Sequence, residues 1–286
     1  MTERIWFNGR ILPLAEVHLS VEDRGFQFAD GVYEVARLYD GRPFALDEHL
    51  ARLERSAAGI EIQLPLSRAD LAAQINQYLS QIDVGEGMLY LQLTRGAAPR
   101  NHLFPPQSAP GKLQPTLLFY FRPLPPLPTV EQTPGVKLWT SPDDRWQRCW
   151  IKSIALLPNV LAKNAAAAKG GDEAVFIDNG AITECSASNI FAVLDGKLIT
   201  HLVGNKVLPG VTRAILLTLA PTLGIEIQER PWTEEEASKA TELFITSTTR
   251  ELSWVSHWNG LPTGATQPGP ITSRLHTAFK KYVNGD

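Results

Sequence analysis

The sequence has only two cysteines, Cys149 and Cys185, and they do not form a CxxC pair. This scarcity indicates neither a disulfide framework nor a cysteine zinc site. Long apolar runs are also missing, because charges break the N-terminal MTERIWFNGRILPLAEV and Pro221 interrupts the stretch AILLTLAPTLGI. Neither segment has the pattern of a signal peptide or of a membrane-spanning helix. We expect a cytoplasmic protein without a membrane partner.

An excess of positive charge is lacking as well. The net charge is −3 and the pI is about 6.1, so no basic field is available to hold a nucleic acid. The motifs GxGxxG, GxxxxGK[ST], HExxH and GxSxG are absent, and the six histidines show no metal-ligand spacing. We therefore expect no nucleic-acid partner and no metal ion.

The chain is long enough, at 286 residues, for two domains. Residues 122–135, RPLPPLPTVEQTPG, contain five prolines, a composition typical of an extended and stiff connector. We predict a small N-terminal α/β domain at 1–121, a connector at 122–135 and a larger C-terminal domain at 136–286.

Periodicity in the N-terminal part predicts two helices and two strands. Asp47 is interpreted as the N-cap of a helix that ends at Gly59, and Ser67 with Asp70 resembles a capping box that opens a second helix. The β-rich apolar runs at 88–94 and 116–121 are predicted strands.

The C-terminal part has the signs of β-hairpins. Three dipeptides suit a two-residue turn with positive φ: Asn179–Gly180, Asp195–Gly196 and Asn259–Gly260. Helices are predicted at about 153–169, 211–223 and 270–283. Hairpins combined with helices that do not alternate strictly with strands predict an α+β fold (α/β-type, two domains) with mixed, largely antiparallel sheets.

A lysine stands out in the segment RWQRCWIKSIALL, where Lys152 precedes an apolar run at a predicted strand end or helix start. Burial disfavours the charged form of an amine and makes it nucleophilic enough to form a Schiff base. An ordinary lysine whose stem lies on apolar surface, with its amine in solvent, is the alternative interpretation.

Two further segments hold polar groups that suit a cofactor. In TECSASNIF, Glu184 ends a predicted strand, where a buried carboxylate can bond a protonated ring nitrogen. In LPGVTRAILL and FITSTTRE, free amides at a helix start and a run of hydroxyls suit a phosphate. The alternatives are an edge glutamate, a plain helix cap and a hydroxyl-rich turn.

Taken together, the segments resemble the signature of class-IV pyridoxal-phosphate (PLP) aminotransferases, the fold-type IV group. From Glu184 to Arg213 the chain reads ECSASNIF, six residues, LIT, seven residues and LPGVTR. The resemblance covers nearly the whole chain and is closest to D-amino acid aminotransferases, through EDRGFQFADGVYEV, TRGAAPRNHLF, RWQRCWIKS and FITSTTRE.

The resemblance implies a set of cofactor contacts. Lys152 would form the Schiff base and transfer the proton between Cα and C4′, and Glu184 would bond the pyridine nitrogen. Leu208 would pack on one face of the ring. The phosphate would be held by Arg52, the amides of Val211 and Thr212, and the side chains of Ser247 and Thr248.

The resemblance also implies a substrate. Tyr33, Arg100 and His102 would bind the α-carboxylate of a D-amino acid, with Thr249 on the substrate side of the site. A guanidinium offers a fixed fork of donors to a carboxylate. Arg100 and His102 would reach the neighbouring subunit's site, which implies a homodimer. An amino donor and a 2-oxo acid acceptor would react in a ping-pong transamination.

Two residues depart from the D-specific pattern, since Cys185 and Ala187 stand where glycine and serine are common. Such changes leave other class-IV reactions open: an (R)-selective amine transaminase, a branched-chain L-amino acid aminotransferase or aminodeoxychorismate lyase. A PLP-binding regulatory protein is the alternative that is not an enzyme. Side-chain specificity does not follow from the sequence.

Overall fold

The computed structural model describes residues 4–105 and 113–285, which form two compact units. The first unit comprises Met1–Pro126 together with Ile151–Ala155, and the second comprises Leu127–Trp150 and Leu156–Asp286. The division after Pro126 falls inside the Pro-rich segment. Residues 151–155, which we predicted to belong to the C-terminal domain, lie in the first unit. The division of the chain into domains at 1–121 and 136–286 stays a prediction.

The first unit is built on a six-stranded antiparallel sheet in the order β2-β1-β6-β5-β3-β4. Alternate residues of its long strands are buried, which gives the sheet an apolar face. The elements are β1 (Arg4–Phe7), β2 (Arg10–Pro13), α1 (Arg24–Phe28), β3 (Gly31–Tyr39), β4 (Arg42–Pro43), α2 (Leu46–Gly59), α3 (Arg68–Leu79), β5 (Gly87–Thr94) and β6 (Thr116–Pro123).

The two predicted helices of this unit are present, but one cap is wrong. Ser67 caps α3 by accepting from the Asp70 amide, as predicted. α2 begins at Leu46, after Ala45 in a left-handed conformation, so Asp47 lies inside the first turn rather than at the N-cap. An acidic side chain there still stabilises the positive end of the helix dipole, which explains why its position resembled a cap.

The second unit contains a nine-stranded mixed sheet in the order β12-β11-β10-β13-β14-β7-β8-β9, with β15 paired to β14. Three of its pairings are parallel and the others antiparallel. The elements are β7 (Val136–Pro142), α4 (Leu157–Ala167), β8 (Glu173–Asp178), β9 (Ala181–Cys185), β10 (Asn189–Leu194), β11 (Lys197–Thr200), α5 (Val211–Thr222), β12 (Ile227–Glu229), α6 (Glu234–Lys239), β13 (Glu242–Ser247), β14 (Glu251–Trp258), β15 (Leu261–Pro262) and α7 (Pro270–Asn284).

All three predicted hairpin turns of this unit are confirmed. The residues at Asn179–Gly180, Asp195–Gly196 and Asn259–Gly260 all have positive φ, between 49° and 82°. The α+β class with largely antiparallel sheets is likewise confirmed. No helix among the described residues has the length and apolar character needed to cross a membrane.

Candidate active site

Lys152 lies in an irregular segment of the first unit that is hydrogen-bonded to the start of β3. The Lys152 carbonyl accepts from the Tyr33 amide at 2.9 Å, and the Ile154 amide donates to the Gly31 carbonyl at 3.1 Å. The Lys152 amide donates to Ser56 Oγ at 3.1 Å. The prediction of a strand end or helix start at Lys152 was wrong. The helix predicted from 153 begins only at Leu157, because the Lys152 carbonyl and the Ile154 amide are hydrogen-bonded to β3 instead.

The Lys152 side chain is half-buried and faces a tyrosine. Its Nζ donates to Tyr33 Oη at 3.3 Å and lies 4.3 Å from the centre of the same ring. Tyr33 stacks on Tyr90, whose centroid is 5.9 Å away. The structure thus brings together two predicted site residues, the nucleophile and one member of the proposed carboxylate-binding set.

Arg52 is buried in the first unit as half of an ion pair. Its Nε and Nη2 donate to the two carboxylate oxygens of Glu34 at 2.7 and 2.8 Å, and His49 Nδ1 lies 2.8 Å from Glu34 Oε2. Burial alone raises the pKa of Glu34, but Arg52 and His49 outweigh it and hold this pKa at about 2. Burial lowers the pKa of His49 against the opposing effect of Glu34. Glu34 and His49 were not predicted from the sequence.

Glu184 sits near the end of β9 in the second unit and is buried with its oxygens well bonded. Oε1 accepts from Arg145 Nη1 at 2.5 Å, and Oε2 accepts from Asn189 Nδ2 at 3.1 Å and from the Leu208 amide at 3.0 Å. The side-chain Nδ2 of Asn189 also donates to the Leu208 carbonyl at 3.0 Å. Glu184 and Leu208, predicted on the same cofactor ring, are therefore joined directly.

Arg145 anchors this cluster and was missed by the sequence analysis. Its guanidinium also donates to Asp143 Oδ2 and to the Lys206 carbonyl, each at 2.8 Å. Burial acts to lower the pKa of Arg145, but Asp143 and Glu184 outweigh it and raise that pKa above its ordinary value. The position of Arg145, seven residues before the lysine, was the only available signal in the sequence.

The start of α5 offers unsatisfied donors for an anion. Gly210 precedes the helix, and within the described residues no side chain caps the amides of its first turn, which begins with Val211 and Thr212. A Cβ at Gly210 would collide with the side chain of Asn189, so the backbone here needs glycine. An α-helix N-terminus of this kind binds phosphate groups.

The end of β13 adds hydroxyls in the same unit, where α5 packs against this strand. Thr246 Oγ1 is buried and lacks a hydrogen-bond partner within the described residues. Ser247, Thr248 and Thr249 follow, all half-buried, as the strand enters a turn. A buried hydroxyl without a partner is costly, so this end of β13 fits a polar ligand.

Arg100 and His102 lie on an exposed loop of the first unit, on the ring of Phe28. The guanidinium of Arg100 is 4.4 Å from the ring centre, and the imidazole of His102 is 5.5 Å away. Within the described part of the chain, no hydrogen bond or ring contact joins either residue to Tyr33. Within the described part of this unit, the structure therefore shows no direct contact between Tyr33 and the other two members of the predicted carboxylate-binding set.

The two departures from the D-specific pattern have clear surroundings. Cys185 is fully buried, and burial raises the pKa of its thiol well above the ordinary value. The Ala187 amide donates to Glu173 Oε2 at 3.0 Å, next to hydroxyls of Ser186 and Ser188 that bond the same carboxylate. Cys185 thus ends β9, and Ala187 lies in the turn between β9 and β10.

Comparison with known proteins decides the family. The family model described as amino-transferase class IV matches residues 31–258. This chain belongs to the class IV aminotransferases. Its curated relatives include D-alanine aminotransferase of Bacillus licheniformis, 41% identical over 280 residues that cover 98% of this chain and 97% of that protein. D-alanine aminotransferase of Listeria monocytogenes serotype 4b is 39% identical over 283 residues, 98% of this chain and 96% of that protein.

The solved structures agree on the fold. The branched-chain amino acid aminotransferase of Thermobaculum terrenum in its PLP form has a TM-score of 0.83 and 26% identity, and the match covers 99% of this chain and 94% of that one. Class IV aminotransferases depend on PLP, so this aminotransferase uses PLP, as predicted. The uncapped start of α5, the partnerless Thr246 hydroxyl and the buried Glu184 are compatible with that cofactor.

Proposed function

We propose that this class IV aminotransferase transfers the amino group of a D-amino acid to a 2-oxo acid, with D-alanine among its donors. The observation that carries the proposal is the near full-length likeness to relatives named D-alanine aminotransferase. The residues Tyr33, Arg100 and His102 support it, because a phenol, a guanidinium and an imidazole together suit an α-carboxylate.

We assign Lys152 as the residue that holds the cofactor and moves the proton. When bound, PLP supplies an electron sink that lets the substrate α-carbon lose a proton. The Lys152 amine removes that proton, and Tyr33 Oη, at 3.3 Å, orients the amine for it. Among the described residues, the hydrogen bond of the Lys152 amine is the one to Tyr33 Oη, and a single bond of this length allows the long stem to move between attachment and proton transfer.

We assign the remaining contacts by their chemistry. The buried Glu184 carboxylate would bond the pyridine nitrogen, while Arg145 and Asn189 fix the orientation of that carboxylate. Leu208 would pack on the ring. The Val211 and Thr212 amides and the hydroxyls of Ser247 and Thr248 would hold the phosphate. Arg52, whose guanidinium is fixed by Glu34, stays a predicted phosphate ligand.

The experiment that tests the reaction follows the visible absorbance of the purified holoenzyme without any keto acid. D-alanine, L-alanine, L-leucine and (R)-1-phenylethylamine are added separately, and 2-oxo acid release is measured. D-alanine alone should bleach the cofactor band and release pyruvate up to one equivalent per subunit. Bleaching by L-leucine or by the amine alone would refute the substrate assignment, and a protein that takes up no PLP would refute the reaction.

We further propose a homodimer in which Arg100 and His102 serve the partner subunit's site. Both side chains are exposed and contact Phe28, and among the described residues neither makes a hydrogen bond or ring contact with Tyr33 of the same unit. Mixing and refolding Lys152→Ala, which should not react, with Arg100→Ala, which should react only at high D-alanine concentration, distinguishes the arrangements when activity is assayed at low D-alanine concentration. Hybrid dimers regain activity only if Arg100 acts across the interface, and no recovery would place it in its own subunit's site. The cytoplasmic location stays a prediction from the sequence.

A further inference from the structure

We propose that two buried arginines joined by Asp30 position the loop that carries Arg100 and His102, and so determine how well the enzyme binds a substrate carboxylate. The inference rests on the proposed function, because it gives Arg24 and Arg95 a role only if Arg100 meets that carboxylate. We call Arg24, Asp30 and Arg95 the arginine bracket. All three belong to the first unit.

The bracket is compact and buried. Asp30 Oδ2 accepts from Arg24 Nε at 2.8 Å and from Arg95 Nε at 2.7 Å, and Oδ1 accepts from Arg95 Nη2 at 3.0 Å. Arg24 is 3% exposed and Arg95 is 6% exposed. Two positive charges buried on one carboxylate are costly to assemble, so such a cluster needs further bonds to be stable.

Those further bonds go to backbone carbonyls, and on one side of the bracket they go to the loop that carries Arg100 and His102. Arg24 Nη1 donates to the Asn101 carbonyl at 2.5 Å and, more weakly, approaches the Leu103 carbonyl at 3.4 Å. The Arg95 guanidinium lies 3.7 Å from the ring centre of Phe104. The loop at 100–104 is therefore attached to the bracket on both sides of His102.

The other side of the bracket is fixed to rigid structure. Arg95 Nη1 and Nη2 donate to the carbonyls of Glu61 and Ile60, and the Arg95 amide donates to the Asp30 carbonyl at 3.1 Å. Arg24 begins α1, whose cap, Asp23, also accepts from the hydroxyls of Thr94 and Thr116. The bracket thus connects an otherwise exposed loop to α1 and the sheet.

The ring of Phe28 connects the arginine bracket with Arg100, because both Arg24 and Arg100 contact it. The ring has the guanidinium of Arg24 at 4.8 Å and that of Arg100 at 4.4 Å, with His102 beside it. An exposed arginine held on a ring loses less conformational freedom when it binds a carboxylate than one that moves freely. The bracket fixes the backbone, and Phe28 fixes the two side chains.

The first test asks whether the bracket holds the loop, and it does not depend on activity. Arg24→Lys keeps the charge beside Asp30 but removes the fork that reaches the Asn101 carbonyl. The matched control is Arg37→Lys, another buried arginine of this unit, bonded to Glu86 and to the Pro125 carbonyl. Trypsin is added to the native holoenzymes, and cleavage after Arg100 is followed by mass spectrometry. Arg24→Lys should be cut there at least about tenfold faster than wild type or Arg37→Lys; equal rates would overturn the proposal.

The second test asks whether the bracket acts through Arg100. In single-turnover reactions with D-alanine, Arg24→Lys should raise the half-saturating concentration on the order of tenfold, with the maximal rate changed less than about twofold. In an Arg100→Ala background the same substitution should change that concentration less than about twofold. Equal effects in both backgrounds would mean that Arg24 does not act through Arg100, and would overturn the specificity role.

A milder variant keeps the test decisive if Arg24→Lys does not fold. Phe28→Leu preserves apolar volume but removes the ring, and should raise the half-saturating D-alanine concentration about threefold, again only when Arg100 is present. No change would overturn the part assigned to Phe28. A wild-type enzyme inert toward D-alanine would refute the proposed function instead, and the trypsin comparison would still decide whether the bracket holds the loop.

Discussion

The surroundings of Lys152 and of Glu184 differ in how firmly they hold the side chain. Lys152 is fixed through its backbone, while its amine has one hydrogen bond of 3.3 Å to Tyr33, shown among the described contacts. Glu184 is fixed through its carboxylate, which accepts from a guanidinium, a side-chain amide and a backbone amide. Under the proposed roles, the amine that must move has one described hydrogen bond, and the carboxylate that must keep its charge in place is bonded by three donors.

The largest effect should come from removing the mobile group. Lys152→Ala should lower the rate of D-alanine conversion by at least about 10³-fold, since in the proposed mechanism both cofactor attachment and proton transfer depend on the amine. Stopped-flow absorbance of the half-reaction measures it. Lys281→Ala, an exposed lysine near the end of α7, is the control and should react normally. A Lys152→Ala variant with near-normal rates would remove the lysine from the mechanism.

The next largest effect should come from discharging the fixed group. Glu184→Gln keeps the shape but loses the charge that faces Arg145, and should lower kcat by about 10²- to 10³-fold, as removal of one electrostatic contact does in other active sites. Steady-state rates with D-alanine measure the change. Glu229→Gln, a partly exposed carboxylate paired with Arg213 in the same unit, should change kcat by less than about twofold. Similar losses in both variants would contradict a special role for Glu184.

Glu34 extends the comparison to a fixed carboxylate in the first unit and to pH. Its pKa is about 2 when folded against an ordinary 4.5, so the unfolded chain takes up a proton first as the pH falls. The stability that this carboxylate contributes is complete above about pH 4.5 and is lost as the pH falls toward 2, up to about 3 kcal/mol. Urea unfolding between pH 3 and 6 measures the slope.

The control for this slope is a variant of the same residue type on the surface. Glu34→Gln should flatten the loss of unfolding free energy below pH 4.5, whereas Glu226→Gln, an exposed partner of Lys197, should leave it as in wild type. An unchanged slope in Glu34→Gln would show that Arg52 and His49 do not hold the Glu34 charge in solution.

The smallest effect should come from the one bond of the Lys152 amine. Tyr33→Phe keeps the ring under Nζ but removes the hydroxyl, and should lower kcat/KM for D-alanine by about tenfold or less. Tyr90→Phe serves as the control, because Tyr90 is the ring next to Tyr33 and its hydroxyl donates to Gln92 Oε1. This variant should have a smaller effect. A loss of 10³-fold or more in Tyr33→Phe would mean that Lys152 is held as firmly as Glu184 and would break the comparison.

Local signals in the sequence were sufficient where one short segment determines the outcome. The turn at Asn179–Gly180 needs only two residues that tolerate positive φ, and Ser67 needs only an amide three residues on. The course of the chain at Lys152 was not predictable in this way, because its backbone partners lie on β3, more than a hundred residues earlier.

The candidate site divides along the same line. Short segments were enough to single out Lys152, in RWQRCWIKS, and Glu184, in the signature from Glu184 to Arg213, whereas Arg145, Glu34 and the bracket around Asp30 were missed. Each of these residues is defined by a partner that is distant in sequence, such as Glu184 for Arg145 at a separation of 39 residues. A charged residue in a single sequence looks the same whether it is solvated or buried in an ion pair, so only the fold distinguishes them.

The return of residues 151–155 to the first unit has a consequence for how such an enzyme can be recombined. A gene cut after Pro126 separates β3 from residues 151–155, in which the strand binds the backbones of Lys152 and Ile154. A chimaera that takes its first 126 residues from one parent must therefore seat the lysine segment of the other parent on a foreign strand. Crossover points outside the span from Gly31 to Ala155 take β3 and the lysine segment from the same parent. Libraries built on such points should contain the highest fraction of active chimaeras.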